Sequence, residues 1–290
     1  MKVALLGTGL MGVPMAKCLA KAGHELSVWN RSPDKAQPLA GYGIEVATSA
    51  ATAVHGAEIV ITMLTDGAAV LDLMVTNGTA AAMAPGVTLV DMSSIRPEEG
   101  RRLGAHLDEL GLSYLDAPVS GGTKGAQAGT LAIMAGGARG VFERAEPVLA
   151  AMGRPVRVGR RGAGYLAKLA NQGIVAVTIG AVAEAMLLLE RGGADLAAVR
   201  DALKGGFADS VILQQHGARM EKRDFAPGGH AWVQLKDLNN ISSEAKELGL
   251  NLPSIEAVRA RFTRLTDELG HGALDHSALF VELLDLNPES

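Results

Sequence analysis

Short, uniformly apolar runs alternate with stretches of helical periodicity through the first half of the chain. Residues 3–6, 26–29, 59–64, 88–92, 113–116 and 131–135 read as strands, and residues 13–21 as the first helix. Alanine-rich or Glu/Arg-rich segments separate them, and a last short strand at 155–158 closes the series near Gly159. Strands without polar alternation are buried on both faces, which predicts a parallel sheet covered by helices.

The pattern changes after Gly162. From Ala163 the chain reads as helix almost to its end, with breaks near Gly192-Gly193, Gly205-Gly206, residues 226–229, residues 249–253 and residues 270–272. The helix from about 163 to 190 is hydrophobic nearly all round, so it is expected to be buried, between two domains or in a subunit interface. The fold class is therefore α/β. A Rossmann-type doubly wound domain over residues 1–162 precedes an all-helical domain over residues 163–290, joined by the long buried helix. A length of 290 residues suits two domains of roughly 150 residues each.

Composition narrows the function classes. The formal charge of −4 and the lack of any block of five like charges argue against a nucleic-acid partner or an anionic membrane surface. Cys18 is the only cysteine, so neither an internal disulfide nor a cysteine-based zinc cluster forms. The histidines lack HExxH spacing, and no metal site is expected. The uncharged part of the apolar stretch, residues 169–183, is too short to span a bilayer, and Gly7 interrupts the N-terminal apolar run too soon for a secretory signal. The expectation is a soluble cytoplasmic protein.

Two features point to a dinucleotide. Gly7-Thr8-Gly9-Leu10-Met11-Gly12 follows a strand and opens a helix. In that context the first glycine permits the tight turn, the second lets a pyrophosphate approach the backbone, and the third packs helix on strand. A glycine turn without a ligand is the alternative. Asn30-Arg31-Ser32 ends the second strand, where an NAD-binding fold usually places a carboxylate for the ribose 2′-hydroxyl. A neutral Asn30 followed by Arg31 and Ser32 suits a 2′-phosphate instead, so NADP(H) is preferred and NAD(H) is the alternative.

Two further segments carry candidate chemistry. Ser120-Gly121-Gly122 follows a strand and offers a hydroxyl and backbone N–H groups to a carboxylate, unless it is a plain glycine-rich loop. Lys168, Asn171 and Gln172 fall at i, i+3 and i+4 on one face of the apolar helix. A lysine on so apolar a helix has a task, a partner, or a path to solvent. Its ammonium is suited to protonate a carbonyl oxygen as hydride reaches carbon.

Taken in order, these motifs resemble the β-hydroxyacid dehydrogenase family, which includes 3-hydroxyisobutyrate dehydrogenases and tartronate semialdehyde reductases. The glycine loop with Met11, Asp91-Met92-Ser93-Ser94, residues 116–122, the Lys168 helix and Lys236-Asp237-Leu238 occur in the family's order and spacing. The resemblance implies a Rossmann domain plus a helical domain, assembled as a homodimer or homotetramer. It implies that Gly7, Gly9, Leu10, Met11 and Gly12 hold the pyrophosphate, that Met63 and Leu64 line the cofactor path, and that Ser94 lies beside the nicotinamide. Ser120, Gly121 and Gly122 match the substrate-carboxylate loop, Lys168 the catalytic lysine, and Lys236 the lysine that reaches the cofactor from the helical domain.

Gln172, where many members have Asn, and Asp275-His276-Ser277 are similar to the tartronate semialdehyde reductase branch. Asn30-Arg31 departs from the acidic residue frequent there, so substrate and cofactor preference need not travel together. The expected activity is NADPH-linked reduction of a small carboxylate-bearing aldehyde, tartronate semialdehyde first. Glyoxylate or succinic semialdehyde reduction and 3-hydroxyisobutyrate oxidation are the enzymatic alternatives. A non-catalytic NADP-sensing module is the alternative from another class.

Overall fold

A computed structural model describes residues 1–288. It divides into two compact units, Met1–Lys168 and Leu169–Ser290. The strands of the first unit are β1 (Lys2–Leu6), β2 (Glu25–Trp29), β3 (Glu45–Val46), β4 (Ile59–Thr62), β5 (Thr88–Asp91), β6 (Ser113–Asp116), β7 (Val119–Ser120), β8 (Leu131–Gly136) and β9 (Gly153–Gly159). They form one sheet in the order β3-β2-β1-β4-β5-β6-β8-β7, with β9 pairing β8. The helices between them are α1 (Gly12–Lys21), α2 (Pro33–Ala36), α3 (Ala50–Val54), α4 (Gly67–Leu71), α5 (Pro97–Glu109), α6 (Gly122–Ala128) and α7 (Arg139–Ala150).

From β3 to β6 every pairing is parallel. Val3 and Leu5 enter one buried cluster, while Ala4 and Leu6 enter another. Successive side chains of a strand point to opposite faces, so both faces of β1 are dry, and this explains its unbroken apolar pattern. The register brings the ends of neighbouring strands level. Leu6 pairs with Trp29 and with Thr62, Thr62 with Asp91, and Asp91 with Asp116. That row is the C-terminal rim on which open α/β sheets bind ligands.

The far end of the sheet departs from the all-parallel expectation. β8 runs antiparallel to β6 and β7. The link 121–130 holds only a seven-residue helix, shorter than the dozen or so residues a parallel crossover needs. β9 is not buried on both faces either. Val156 and Val158 are 40% and 41% exposed, on the same face as exposed Arg154, while the alternate residues of β9 are half-buried on the other.

The long helix α8 (Ala163–Arg191) starts in the first unit and continues into the second. The helices α9 (Leu196–Ala202), α10 (Val211–Lys222), α11 (Ala231–Glu247), α12 (Pro253–Thr263) and α13 (Leu279–Leu286) follow it. Ala176, Ile179, Ala183 and Met186 from α8 share a core with Leu238, Phe262, Leu279 and Phe280. Burying each of the large side chains in that core contributes about 1.5–3 kcal/mol. Within the single chain α8 is buried along one face, with Ile174 68% and Leu188 75% exposed on the other. The 3.6-residue period turns those positions away from the helices that pack the other side. By length and composition alone α8 would also cross a bilayer, a property shared by the core helices of soluble proteins.

Candidate active site

The glycine loop between β1 and α1 owes its shape to three different steric demands. Gly7 has φ +107°, and a Cβ built there would lie 2.3 Å from the Met63 carbonyl oxygen. A Cβ on Gly12 would lie 1.9 Å from the Gly7 carbonyl oxygen. Both glycines are therefore required by the protein's own backbone. Gly9 differs, because its Cβ would meet nothing within 4 Å. That space, outside the end of β1, is where a ligand's pyrophosphate would approach the backbone. Thr8 is 1% exposed, and its Oγ1 is buried without a hydrogen-bond partner. An orphaned hydroxyl next to an open cradle is the donor set a dinucleotide fits.

Asn30 braces this loop from the end of β2. Its Oδ1 accepts from the Thr8 N–H at 2.9 Å, and its Nδ2 donates to the Ser32 carbonyl at 3.0 Å. Arg31 and Ser32 are exposed beside it, and no carboxylate stands at position 30 to repel a phosphate. Leu10 is 78% exposed, and Met11 packs partly against the core. Met63 and Leu64, at the end of β4, are half-buried. The Leu64 N–H donates to Ser93 Oγ at 2.9 Å, which ties the loop after β4 to the loop after β5 and its half-buried Ser94.

The Ser120-Gly121-Gly122 segment leaves β7 and enters α6. Gly121 and Gly122 have φ +133° and +59°, conformations that strain any residue with a Cβ. Cβ atoms would crowd Leu131 at Gly121 and meet open space at Gly122. The backbone of Gly122 is thus open to an approaching anion.

Behind this rim lies a buried polar network whose role the sequence reading did not assign. Asp91 and Asp116 are both 0% exposed. Asp116 Oδ1 accepts from the Gly162 N–H at 2.7 Å, and Oδ2 accepts from those of Gly164 and Tyr165 at 2.8 and 3.2 Å. Asp91 Oδ2 accepts from the Tyr165 hydroxyl at 2.5 Å, and Oδ1 from Thr62 Oγ1 at 2.7 Å and the Ser93 N–H at 3.1 Å. The Tyr114 and Tyr165 hydroxyls lie 2.5 Å apart. Burial pushes the Asp116 carboxyl up to about 6, against the pull of its backbone donors. Burial also raises Asp91, and it lifts both tyrosines well above the usual phenol range, with the charge of Asp91 adding to the shift. The signal was legible in principle: a carboxylate ending each of two adjacent apolar strands must find donors or stay neutral.

Lys168, half-buried on α8, is the last residue of the first unit. Asn171 and Gln172 follow on the same helix in the second unit. Asn171 Nδ2 donates to Gln172 Oε1 at 2.9 Å, and Gln172 Nε2 donates to Asp237 Oδ2 at 2.6 Å. Lys236 Nζ lies 3.4 Å from Asp237 Oδ1. The Gln172 amide is therefore engaged at both ends, and it links Asn171 to the Lys236-Asp237 pair on α11. The second unit also gathers His216, Asp275 and His276, which distance along the chain concealed. Asp275 accepts from Gly228, Gly229 and Ser277 N–H groups, from Ser277 Oγ and from Arg219. These bonds tie the loop at 228–229 to the turn at 275–277 around one carboxylate.

Comparison with known proteins agrees with this geometry. Residues 2–162 match the family model described as the NAD binding domain of 6-phosphogluconate dehydrogenase. Residues 162–283 match the one described as the NAD-binding region of NADP-dependent 3-hydroxyisobutyrate dehydrogenase. The chain is 44% identical to 2-hydroxy-3-oxopropionate reductase of Escherichia coli, over 99% of this chain and 98% of that one. It is 35% identical to the NAD-dependent L-serine dehydrogenase of Pseudomonas aeruginosa, over 96% of each. Among solved structures, Mycobacterium tuberculosis 3-hydroxyisobutyrate dehydrogenase with L-serine superposes with a TM-score of 0.89 at 33% identity, covering 97% of this chain and 98% of that one.

Proposed function

The chain belongs to the 3-hydroxyisobutyrate dehydrogenase-like β-hydroxyacid dehydrogenase family, and from that premise we propose that it reduces tartronate semialdehyde to glycerate with NADPH. It is an NAD(P)-dependent oxidoreductase acting on CH–OH groups. The observation that carries the substrate assignment is the end-to-end 44% identity to a 2-hydroxy-3-oxopropionate reductase.

Hydride and one proton add across the aldehyde C=O, giving a primary alcohol and oxidised cofactor. When bound, the nicotinamide supplies the hydride to the aldehyde carbon. Gly7–Gly12 would hold the pyrophosphate over the open face of Gly9, with Met11 and Leu10 alongside it. Arg31 and Ser32 would pair with the 2′-phosphate, while Asn30 keeps their turn in shape. Met63, Leu64 and Ser94 would line the path to the nicotinamide, and Lys236 would reach the cofactor from α11. Ser120, Gly121 and Gly122 bind the substrate carboxylate through a hydroxyl and open backbone N–H groups. Lys168 holds a proton on Nζ and delivers it to the oxygen that gains negative charge. Asn171 orients the substrate. Gln172 holds Asn171 in place, since its own amide is engaged at both ends.

One second reading has its own support. L-Serine has the three-carbon frame of glycerate with an ammonium in place of the 2-hydroxyl, and the chain is 35% identical to an L-serine dehydrogenase. A substrate panel separates the two. Tartronate semialdehyde, glyoxylate and succinic semialdehyde are offered with NADPH, and glycerate, 3-hydroxyisobutyrate and L-serine with NADP⁺ or NAD⁺. The highest kcat/KM is expected for tartronate semialdehyde, and Lys168→Ala should lower its kcat by about 10²–10⁴. Preference for L-serine or 3-hydroxyisobutyrate oxidation would overturn the substrate assignment.

A further inference from the structure

We propose that Asp116 is a positioning residue for the reduction, pinning the first turn of α8 to the sheet so that Lys168 is held in register for proton delivery, with Asp91 acting as a second pin through Tyr165. The proposal rests on the reading of Lys168 as the proton donor. Asp116 lies in the segment that leads to the carboxylate-binding loop, yet it is 0% exposed and its oxygens are turned to the backbone of 162–165. It cannot touch substrate, so any part it plays is through another residue. A helix N-terminus leaves N–H groups without partners, and a carboxylate can accept several of them at once. An apolar side chain would fill the space but leave those donors orphaned.

The second pin is independent of the first. Asp91 ends the neighbouring strand at the same level as Asp116. It accepts from the Tyr165 hydroxyl, one turn before Lys168 on α8. Three glycines from separate elements close the surrounding space. A Cβ on Gly100 would lie 2.3 Å from the Tyr165 ring, one on Gly136 2.5 Å from Asp116 Oδ2, and one on Gly164 2.4 Å from the Met134 carbonyl oxygen. The first turn of α8 is therefore held by the Asp116 carboxylate on its backbone N–H groups, by the Asp91 carboxylate on the Tyr165 hydroxyl, and by close steric contact. Lys168 lies three residues beyond Tyr165, about 4.5 Å along the helix axis, so little slack separates the pins from the ammonium. A misplacement of 1 Å at a reacting group costs up to about 10²-fold in rate.

The test compares Asp116→Asn, Tyr165→Phe, Lys168→Ala and the double variant Lys168→Ala/Asp116→Asn, all as full-length protein. Asp116→Asn presents an NH₂ group where an oxygen accepted an N–H, and Tyr165→Phe removes the hydroxyl that meets Asp91 and Tyr114 while keeping the ring and the N–H bonded to Asp116. Each should lower kcat for semialdehyde reduction, by about tenfold and about threefold respectively, with NADPH Kd and substrate KM within twofold of wild type. The double variant should be no slower than Lys168→Ala alone, because a residue that acts through Lys168 has nothing left to position. A lowered Tm with unchanged kcat, or losses that multiply in the double variant, would reduce Asp116 to a structural residue and overturn the proposal. Should Asp116→Asn fail to fold, the same comparison with Tyr165→Phe and Lys168→Ala/Tyr165→Phe decides it. Near-normal turnover in Lys168→Ala overturns the general-acid reading and this proposal together. A dead Lys168→Ala beside wild-type kcat in both pin variants overturns this proposal alone.

Discussion

Gly9→Ala and Gly12→Ala change the same loop by one methyl group each, and the structure assigns them different consequences. At Gly12 the new Cβ would sit 1.9 Å from the Gly7 carbonyl oxygen, whereas real Cβ contacts essentially never fall below 3.0 Å. The backbone must therefore open by at least 1.1 Å. Gly7 cannot retreat, because its N–H is bonded to the Trp29 carbonyl at 2.8 Å and its own Cβ position is filled by the Met63 carbonyl oxygen. Overpacking of this kind costs about 1–3 kcal/mol, partly offset by the roughly 1 kcal/mol that alanine gains over glycine in a helix. At Gly9 the Cβ meets open space and the backbone is not in the left-handed region. The free protein should keep its stability to within about 0.5 kcal/mol. Bound NADPH, however, would lose backbone contacts to an ionised phosphate worth about 1.5–3 kcal/mol, a ten- to hundredfold rise in Kd. Thermal denaturation of the free protein and fluorescence titration with NADPH measure the two effects separately. Gly12→Ala should weaken NADPH binding at least tenfold and lower Tm, while Gly9→Ala should weaken binding alone. Wild-type NADPH affinity in Gly9→Ala would refute the assignment of the open cradle to the pyrophosphate.

Arg31→Ala should reduce kcat/KM for NADPH ten- to hundredfold, about 1.5–3 kcal/mol, and leave NADH use nearly unchanged. An equal fall with both cofactors would mean that Arg31 supports the turn instead of selecting the phosphate. Gly122→Ala places a side chain at φ +59°, costing about 1 kcal/mol of stability. It should raise KM for carboxylate-bearing aldehydes about tenfold while NADPH Kd holds, and unaltered kinetics would remove Gly122 from the anion site. His216 is held to about 4 by burial, with His276 and Arg219 adding to the depression and Asp275 opposing it. Its folded value lies below the unfolded 6.5, so its contribution is complete above 6.5 and fades as pH falls towards 4, on the order of 3 kcal/mol in all. Asp116 works in the opposite sense: its folded value near 6 exceeds the unfolded 3.8, so its contribution is complete below 3.8 and fades as pH rises through 6. His216→Phe should therefore flatten the acid limb of stability between pH 6.5 and 4 relative to wild type in denaturant titrations, and an unchanged limb would show that another group drives it.

Local patterns were enough to reveal much of this protein. Apolar runs at 3–6, 59–64 and 88–92 identified strands buried on both faces, because side chains point alternately to the two faces and only a sheet covered on both sides removes the polar alternation. The glycines at 7 and 12 marked the turn from β1 into α1, because the protein's own backbone crowds those positions, whereas Gly9 stood out through its spacing between them. Lys168 stood out on different grounds, as an ammonium on a strongly apolar helix.

Other features depended on partners far away in sequence. The reversal of β8 against β7 follows from the length of one connection and from the edge that remained available. The half-buried state of α8 depends on which side α11, α12 and α13 cover. Asp116 and Asp91 look like ordinary strand ends in the chain, and only folding delivers the N–H groups of 162–165 and the Tyr165 hydroxyl to their oxygens. His216 and Asp275, 59 residues apart, meet in the same way. Periodicity and steric demand act within a few residues and are written locally. The satisfaction of a buried charge is a three-dimensional condition, and it is met only once the chain has closed around it.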